Sequence, residues 1–221
     1  TGTGYLSSAM AMDKGVTKAM FQMRGVSTPG GRSMKKKERQ DSLAELGMEF
    51  PVVVKTCCGG SSIGVYIVDN QEAYEKALDE AFEYENEVVI EEFIKGVEYT
   101  VAVVDGMAYP VVQIVPKEGF YDYENKYKPG AVQETCPAPI SEELTKRLQE
   151  AAVDGYHALE MESYARLDFI VTEDEKIYCL EANTLPGMTP TSLIPQEAAV
   201  LGMDYPTLCE ELIRVSQKKY E

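Results

Sequence analysis

Hydrophobic and polar positions change their period several times along the chain, and each change marks an element. Asp13 is a cap residue for a helix over 14–24, with Gly25 as its natural end and Pro29 as a stop. Residues 30–48 are polar and basic, with one short helical piece expected at 38–46. The β-branched run at 51–55 predicts a strand, 59–64 a flexible glycine-rich loop and 65–68 the returning strand. Ala73, Ala77, Leu78 and Ala81 share one face of an amphipathic helix over 71–84. A strand at 88–90 follows, and Asp105-Gly106 joins strands at 98–104 and 107–115 in a hairpin. Residues 116–139 show no periodicity, and a connection of that length in a compact chain reads as a lid. Ser141 caps a helix carrying Leu144, Leu148, Ala152, Tyr156 and Leu159, and strands at 166–171 and 176–180 form a second hairpin. Closing helices are expected at 196–201 and 207–219. The opening Thr1-Gly2-Thr3-Gly4 half-resembles a dinucleotide fingerprint, but Ser7 stands at its third glycine position and no strand precedes it, so a loop is expected.

Composition narrows the chemistry. The 221 residues suffice for one large unit or two modest ones with a real core. A net charge of −16 argues against nucleic acid and against an anionic membrane, both of which need basic surface. An anionic ligand would need its own local Lys and Arg; the one dense run, Lys35-Lys36-Lys37, reads as a solvated loop face. No apolar run is long enough for a membrane helix, and no signal peptide is evident. Five cysteines without a C-x-x-C predict reduced thiols in a cytoplasm, not zinc or a disulfide framework. The single histidine, His157, lies in a helical stretch without a nucleophile motif, which removes most histidine-based catalysis. Lysine, arginine and carboxylates remain, and they suit phosphate and metal chemistry.

The second hairpin is the most informative local feature. If it folds symmetrically about Glu173-Asp174-Glu175-Lys176, Asp168 lies opposite Glu181 and Arg166 opposite Asn183, all on one face. Opposed carboxylates repel, but a divalent cation between them relieves this, and Asp, Glu and Asn supply hard oxygen ligands suited to magnesium and phosphate. Arg166 beside them could stabilise a transferring phosphoryl group; the plain alternative is a solvated acidic face. Lys55 precedes the 59–64 loop, whose glycines let backbone N–H groups approach phosphates, although no Walker lysine follows; a simple hairpin turn is the alternative. The extended run Ile90-Glu91-Glu92-Phe93-Ile94 could offer its backbone to an adenine edge, with Glu98 for ribose, or be plain structure.

In order, Met12-Asp13-Lys14, VVVK with GGSSIG, EEFIKGVEYTVAV, YDYENKY, RLDFI and LEANTLPGMTPTSLIP resemble the D-alanine–D-alanine ligase family across essentially the whole chain. The resemblance implies an α+β, ATP-grasp architecture: two α+β subdomains with mainly antiparallel sheets holding ATP between them. Residues 1–12 would be a linker remnant from a missing N-terminal domain, 13–99 the central lid subdomain and 100–221 the C-terminal catalytic subdomain. It further implies ATP-dependent joining of two D-alanines through an acylphosphate for peptidoglycan synthesis, in the cytoplasm, by a homodimer of the full-length protein. The cofactors would be ATP and two Mg²⁺, with Mn²⁺ as a substitute. Other implied partners are small molecules, not nucleic acid or membrane.

Residue by residue, the resemblance makes Lys14 and Lys55 phosphate lysines, Glu91, Glu92 and Ile94 adenine neighbours, and Glu98 the ribose ligand. Asp168, Glu181 and Asn183 match the magnesium ligands. Arg166 and the Gly187 backbone match the groups that stabilise a tetrahedral intermediate, and Ser192 the group that holds the second D-alanine's carboxylate. Lys126 matches a lid lysine for the γ-phosphate, while Ser61 and Tyr127 belong to a hydrogen-bonded trio closing the lid. Tyr127 also favours a D-amino acid over D-lactate as second substrate, leaving D-serine open. Thr56-Cys57-Cys58 departs from the proline- and charge-containing stretch common in relatives. The alternatives are another ATP-grasp carboxylate–amine ligase, such as one making D-Ala-D-Ser, or a nucleotide-binding module without ligase activity.

Overall fold

The computed structural model describes residues 1–60, 64–116 and 132–221. Two antiparallel sheets, each with its own core, organise them. The first sheet contains β1 (Gly31–Lys35), β2 (Val52–Thr56), β3 (Val65–Val68) and β4 (Glu87–Glu92), in the order β1-β4-β2-β3. Helix α3 (Gln71–Tyr84) covers it, burying Tyr74, Ala77, Leu78, Ala81 and Phe82 against Val52, Val54, Val88 and Ile90. Asn70 starts the helix by accepting a hydrogen bond from the Ala73 N–H at 2.9 Å. The edge strand β1 differs from the expected loop: of its five residues only Met34 is buried, too weak an alternation to read from sequence. The helix expected at 38–46 is instead two short 3₁₀ turns, Lys36–Glu38 and Leu43–Leu46.

The second sheet contains β5 (Val97–Val104), β6 (Met107–Ala108), β7 (Val112–Pro116), β8 (Val132–Thr135), β9 (Tyr164–Val171) and β10 (Ile177–Asn183). Its order is β10-β9-β5-β7-β8, with β6 on β5. Helix α4 (Glu142–Ala158) packs Leu144, Leu148, Ala152 and Tyr156 on one face, over Val101, Leu167 and Phe169. Ser141 caps it by accepting from the Leu144 N–H at 3.1 Å. Helices α5 (Leu193–Val200) and α6 (Tyr205–Gln217) form a third cluster against Ala102, Val104 and Tyr164.

Two N-terminal helices attach to this larger unit. Residues 1–4 form the expected loop, and helix α1 (Tyr5–Met12) follows within the stretch expected as a linker remnant; it packs Ala11 into the larger core, and its Ser7 hydroxyl donates to the Glu160 carbonyl at 2.6 Å. Helix α2 (Lys14–Arg24) is capped by Asp13 and ends at left-handed Gly25, as its sequence predicts. Its Phe21 is fully buried in the larger core and not in that of the first sheet. Helix α2 thus shares the core of the second sheet through Phe21, and all of β5 pairs with β9. Among the described residues no helix is long and apolar enough to cross a membrane.

Candidate functional site

Between the sheets lies a cavity of about 490 Å³. One wall comes from the start of α2, the first sheet and the chain leaving it: Lys14, Val53, Lys55, Gly59, Glu91, Glu92 and Ile94. The other comes from the second sheet: Glu98, Ile114, Arg166, Asp168, Leu180 and Glu181. Most of the residues singled out in the sequence therefore meet in one place, although they arise from separate hairpins.

The register of β9 and β10 brings the acidic group together. Glu181 pairs with Asp168 and Asn183 with Arg166, as expected, but by a different route. Glu175 has φ 57° and closes a three-residue turn, with its N–H donating to the Thr172 carbonyl at 2.9 Å. That turn opposes Ile177 to Val171 and Cys179 to Phe169, one residue out of the expected register. A β-bulge between Cys179 and Glu181 then adds Leu180 and restores it. The bulge keeps Cys179 and Ala182 in the core while Leu180 and Glu181 both line the cavity.

Asp168 is densely bonded. Arg166 grips it with two parallel hydrogen bonds, Nε to Oδ1 at 2.9 Å and Nη2 to Oδ2 at 2.8 Å. The Thr100 hydroxyl lies 2.6 Å from Oδ1, and Asn183 Nδ2 donates to Oδ2 at 2.9 Å. Asn183 also reaches Glu181 Oε1 at 3.4 Å, so its amide spans the two carboxylates. Burial disfavours the charge on Arg166, but attraction and hydrogen bonds from Asp168, with Glu181 beyond, outweigh it and raise its pKa. Thr100 was not foreseen; its signal is position, two residues after Glu98 on the same strand face and directly opposite Asp168.

On the other wall Lys55 bonds Glu91, and Glu91 is itself buried. A second lysine that the sequence reading missed, Lys18, holds the other carboxylate oxygen at 2.9 Å. Burial alone would raise the Glu91 pKa, but Lys55 and then Lys18 overcome it and hold the carboxyl below its ordinary value. Lys14 bonds the Gly59 carbonyl at the start of the glycine loop. Cys57 is buried, which with nearby carboxylates pushes its thiol up to about 12 and leaves it inert as a nucleophile.

Ser192 precedes α5, and its Oγ accepts from the Thr189 N–H at 3.0 Å. A Cβ on Gly187 would stand 3.1 Å from that oxygen, so the loop fits here without a side chain. Leu193, the next residue, lines the cavity. Ser61, Lys126 and Tyr127 lie outside the described residues.

Comparison with known proteins gives a consistent result. A family model described as D-ala D-ala ligase C-terminus matches residues 14–214. A D-alanine–D-alanine ligase of Syntrophotalea carbinolica is 44% identical over 213 residues, covering 96% of this chain and 68% of that protein. The crystal structure of D-alanine–D-alanine ligase from Bacillus anthracis matches with a TM-score of 0.88 at 37% identity, covering 99% of this chain and 71% of that one. The structure from the same organism complexed with ATP gives 0.85 at 34% identity, covering 99% and 70%.

Proposed function

Because this chain belongs to the D-alanine–D-alanine ligase family, we propose that its protein joins two D-alanines at the expense of ATP, for peptidoglycan synthesis. The observation that carries this reading is the shared cavity, in which Lys14 and Lys55 on one wall face Arg166, Asp168 and Glu181 on the other. An ATP complex of a similar ligase supports a nucleotide there.

In this reading Lys14 and Lys55 bind the phosphates. Glu91, Glu92 and Ile94 stand at the adenine end, and Glu98 takes the ribose. The γ-phosphoryl group passes to the carboxylate of the first D-alanine, giving D-alanyl phosphate and ADP. The free amine of the second D-alanine attacks the acyl carbon, and phosphate leaves as the peptide bond forms. Arg166 and the Gly187 N–H offset charge on the tetrahedral oxygen, and Ser192 holds the second carboxylate. Arg166 gives two of its five N–H donors to Asp168, which leaves three for a substrate oxygen.

Asp168, Glu181 and Asn183 would hold divalent cations, a magnesium pair or manganese in its place. Their donor set fits, being hard oxygens on one face. Such ions, when bound, would neutralise phosphate oxygens. Two carboxylates and one amide are the donors on offer, since among the described residues no group of three His, Cys, Asp or Glu stands together. The reading includes a cytoplasmic setting, supported by five cysteines that are all free thiols.

Phosphate release from Mg-ATP, with and without D-alanine, tests the reaction, and calorimetry with ATP tests the site. Stimulation by D-alanine is expected. Binding of ATP without stimulation by any D-amino acid would overturn the substrate assignment, and no ATP binding would overturn the site.

A further inference from the structure

Lys18 stands one helical turn after Lys14 on α2, so the two side chains leave the same side of the helix. Lys14 turns to the glycine loop. Lys18 is buried, with Nζ 2.9 Å from Glu91 Oε2, 3.2 Å from Thr28 Oγ1 and 2.5 Å from the Pro29 carbonyl. Three acceptors match the three donors of an ammonium group. Lys55 holds the other oxygen of Glu91. Two cations therefore share one buried carboxylate, and the cluster carries one surplus positive charge. Lys55, Glu91 and Pro29 line the cavity, with Lys18 touching the latter two from behind. A buried surplus charge is costly unless an opposite charge meets it, and here the open side faces the cavity.

We propose that Lys18 is a positioning residue for the nucleotide phosphates: it shares the Glu91 charge from behind, so that Lys55, although bonded to that carboxylate, is not neutralised by it and can be shared with an incoming phosphate. The inference rests on the nucleotide reading above. Without the Lys18 charge, Lys55 and Glu91 form a neutral pair, and the cavity presents one positive charge fewer to a polyphosphate. Restoring the charge balance by neutralising Glu91 would release Lys55 again.

The test measures ADP binding by calorimetry and adenosine binding by ligand-observed NMR. Wild type is compared with Lys18→Met, Lys18→Gln, Glu91→Gln alone, and each Lys18 change combined with Glu91→Gln. Lys18→Gln retains a donor for Pro29 and serves if the methionine variant does not fold. ADP affinity should fall on the order of 10-fold in either Lys18 single variant, the scale of one lost charged interaction. Adenosine affinity should change far less, and measured against Glu91→Gln alone, the Lys18 substitutions should cost little further ADP affinity. Folded Lys18 single variants that bind ADP as wild type does would overturn the proposal. Equal losses of ADP and adenosine, or an undiminished Lys18 loss on the Glu91→Gln background, would do the same, since a wall-shaping role predicts those results. Wild type that binds neither ADP nor ATP would instead sink the nucleotide reading itself.

Discussion

The side-chain nitrogen of Asn183 lies 2.9 Å from Oδ2 of Asp168, and the same amide reaches across to Glu181. A neutral donor thus spans two carboxylates that strand pairing sets opposite each other. A cation entering there requires the amide to turn its oxygen inward, while both carboxylates keep their places. Glu181→Gln removes one charged ligand, leaving the strand pairing intact. Turnover at fixed ATP should then need at least about 10-fold more magnesium, the lower end of what even outer-shell changes cost. A magnesium titration of phosphate release checks this, and an unchanged curve would remove Glu181 from the metal site.

Lys55 is buried in β2 and bonded to Glu91, so its loss also leaves a buried carboxylate with one partner fewer. Lys55→Ala should weaken ATP binding by roughly 10- to 100-fold, the range for one hydrogen bond to a charged group. Calorimetry giving equal affinities would exclude Lys55 from phosphate contact.

The connection between the sheets is tight at Gly96. A Cβ there would collide with the Val171 main chain and with Ile170 Cγ2. Backbone cannot step aside as a flexible side chain can, so Gly96→Ala should cost about 1–3 kcal/mol, as overpacking does. Thermal unfolding should report this as a lower Tm. Nucleotide affinity should fall as well, because Val97 and Glu98, which follow directly, line the cavity. An unaltered Tm would show that the connection tolerates a side chain.

Most strands and helices were legible because their periodicity is strong, as in α3 and α4, whose buried positions recur with helical spacing. Helix α1 and strand β1 were not: each buries few residues, and long-range contacts such as Ser7 with Glu160 and Gly31 with Glu91 hold them. The acidic face of the second hairpin was legible only through two departures that cancel, the three-residue turn at Glu175 and the bulge at Leu180. Neither leaves a glycine or proline to mark it. Lys18 was hidden for another reason. A lysine four residues after Lys14 on a polar-looking helix gives no sign of burial until Glu91 arrives from β4.

Glu197 offers a test of pH dependence that is separate from the ligands. It is fully buried on α5, with Oε2 accepting from the Ala102 N–H at 2.8 Å, where β5 lacks a strand partner between β6 and β7. Among the described residues its Oε1 has no hydrogen-bond partner. Burial pushes its pKa well above the ordinary carboxylate value; the Ala102 bond and Arg166 pull the other way without prevailing. The folded chain therefore keeps this proton where the unfolded chain has lost it. Stability from this group is complete below the ordinary carboxylate pKa and declines as pH rises through the folded value. The slope is about 1.4 kcal/mol per pH unit while the difference lasts. Glu197→Gln fixes a neutral side chain that can still accept from Ala102, so it should remove this slope. Relative to wild type, the variant should gain Tm as pH rises above the ordinary carboxylate range, whatever its offset at lower pH. Parallel Tm curves for the two proteins through that rise would mean that Glu197 ionises normally in the folded state, with a counter-charge sufficient to offset its burial.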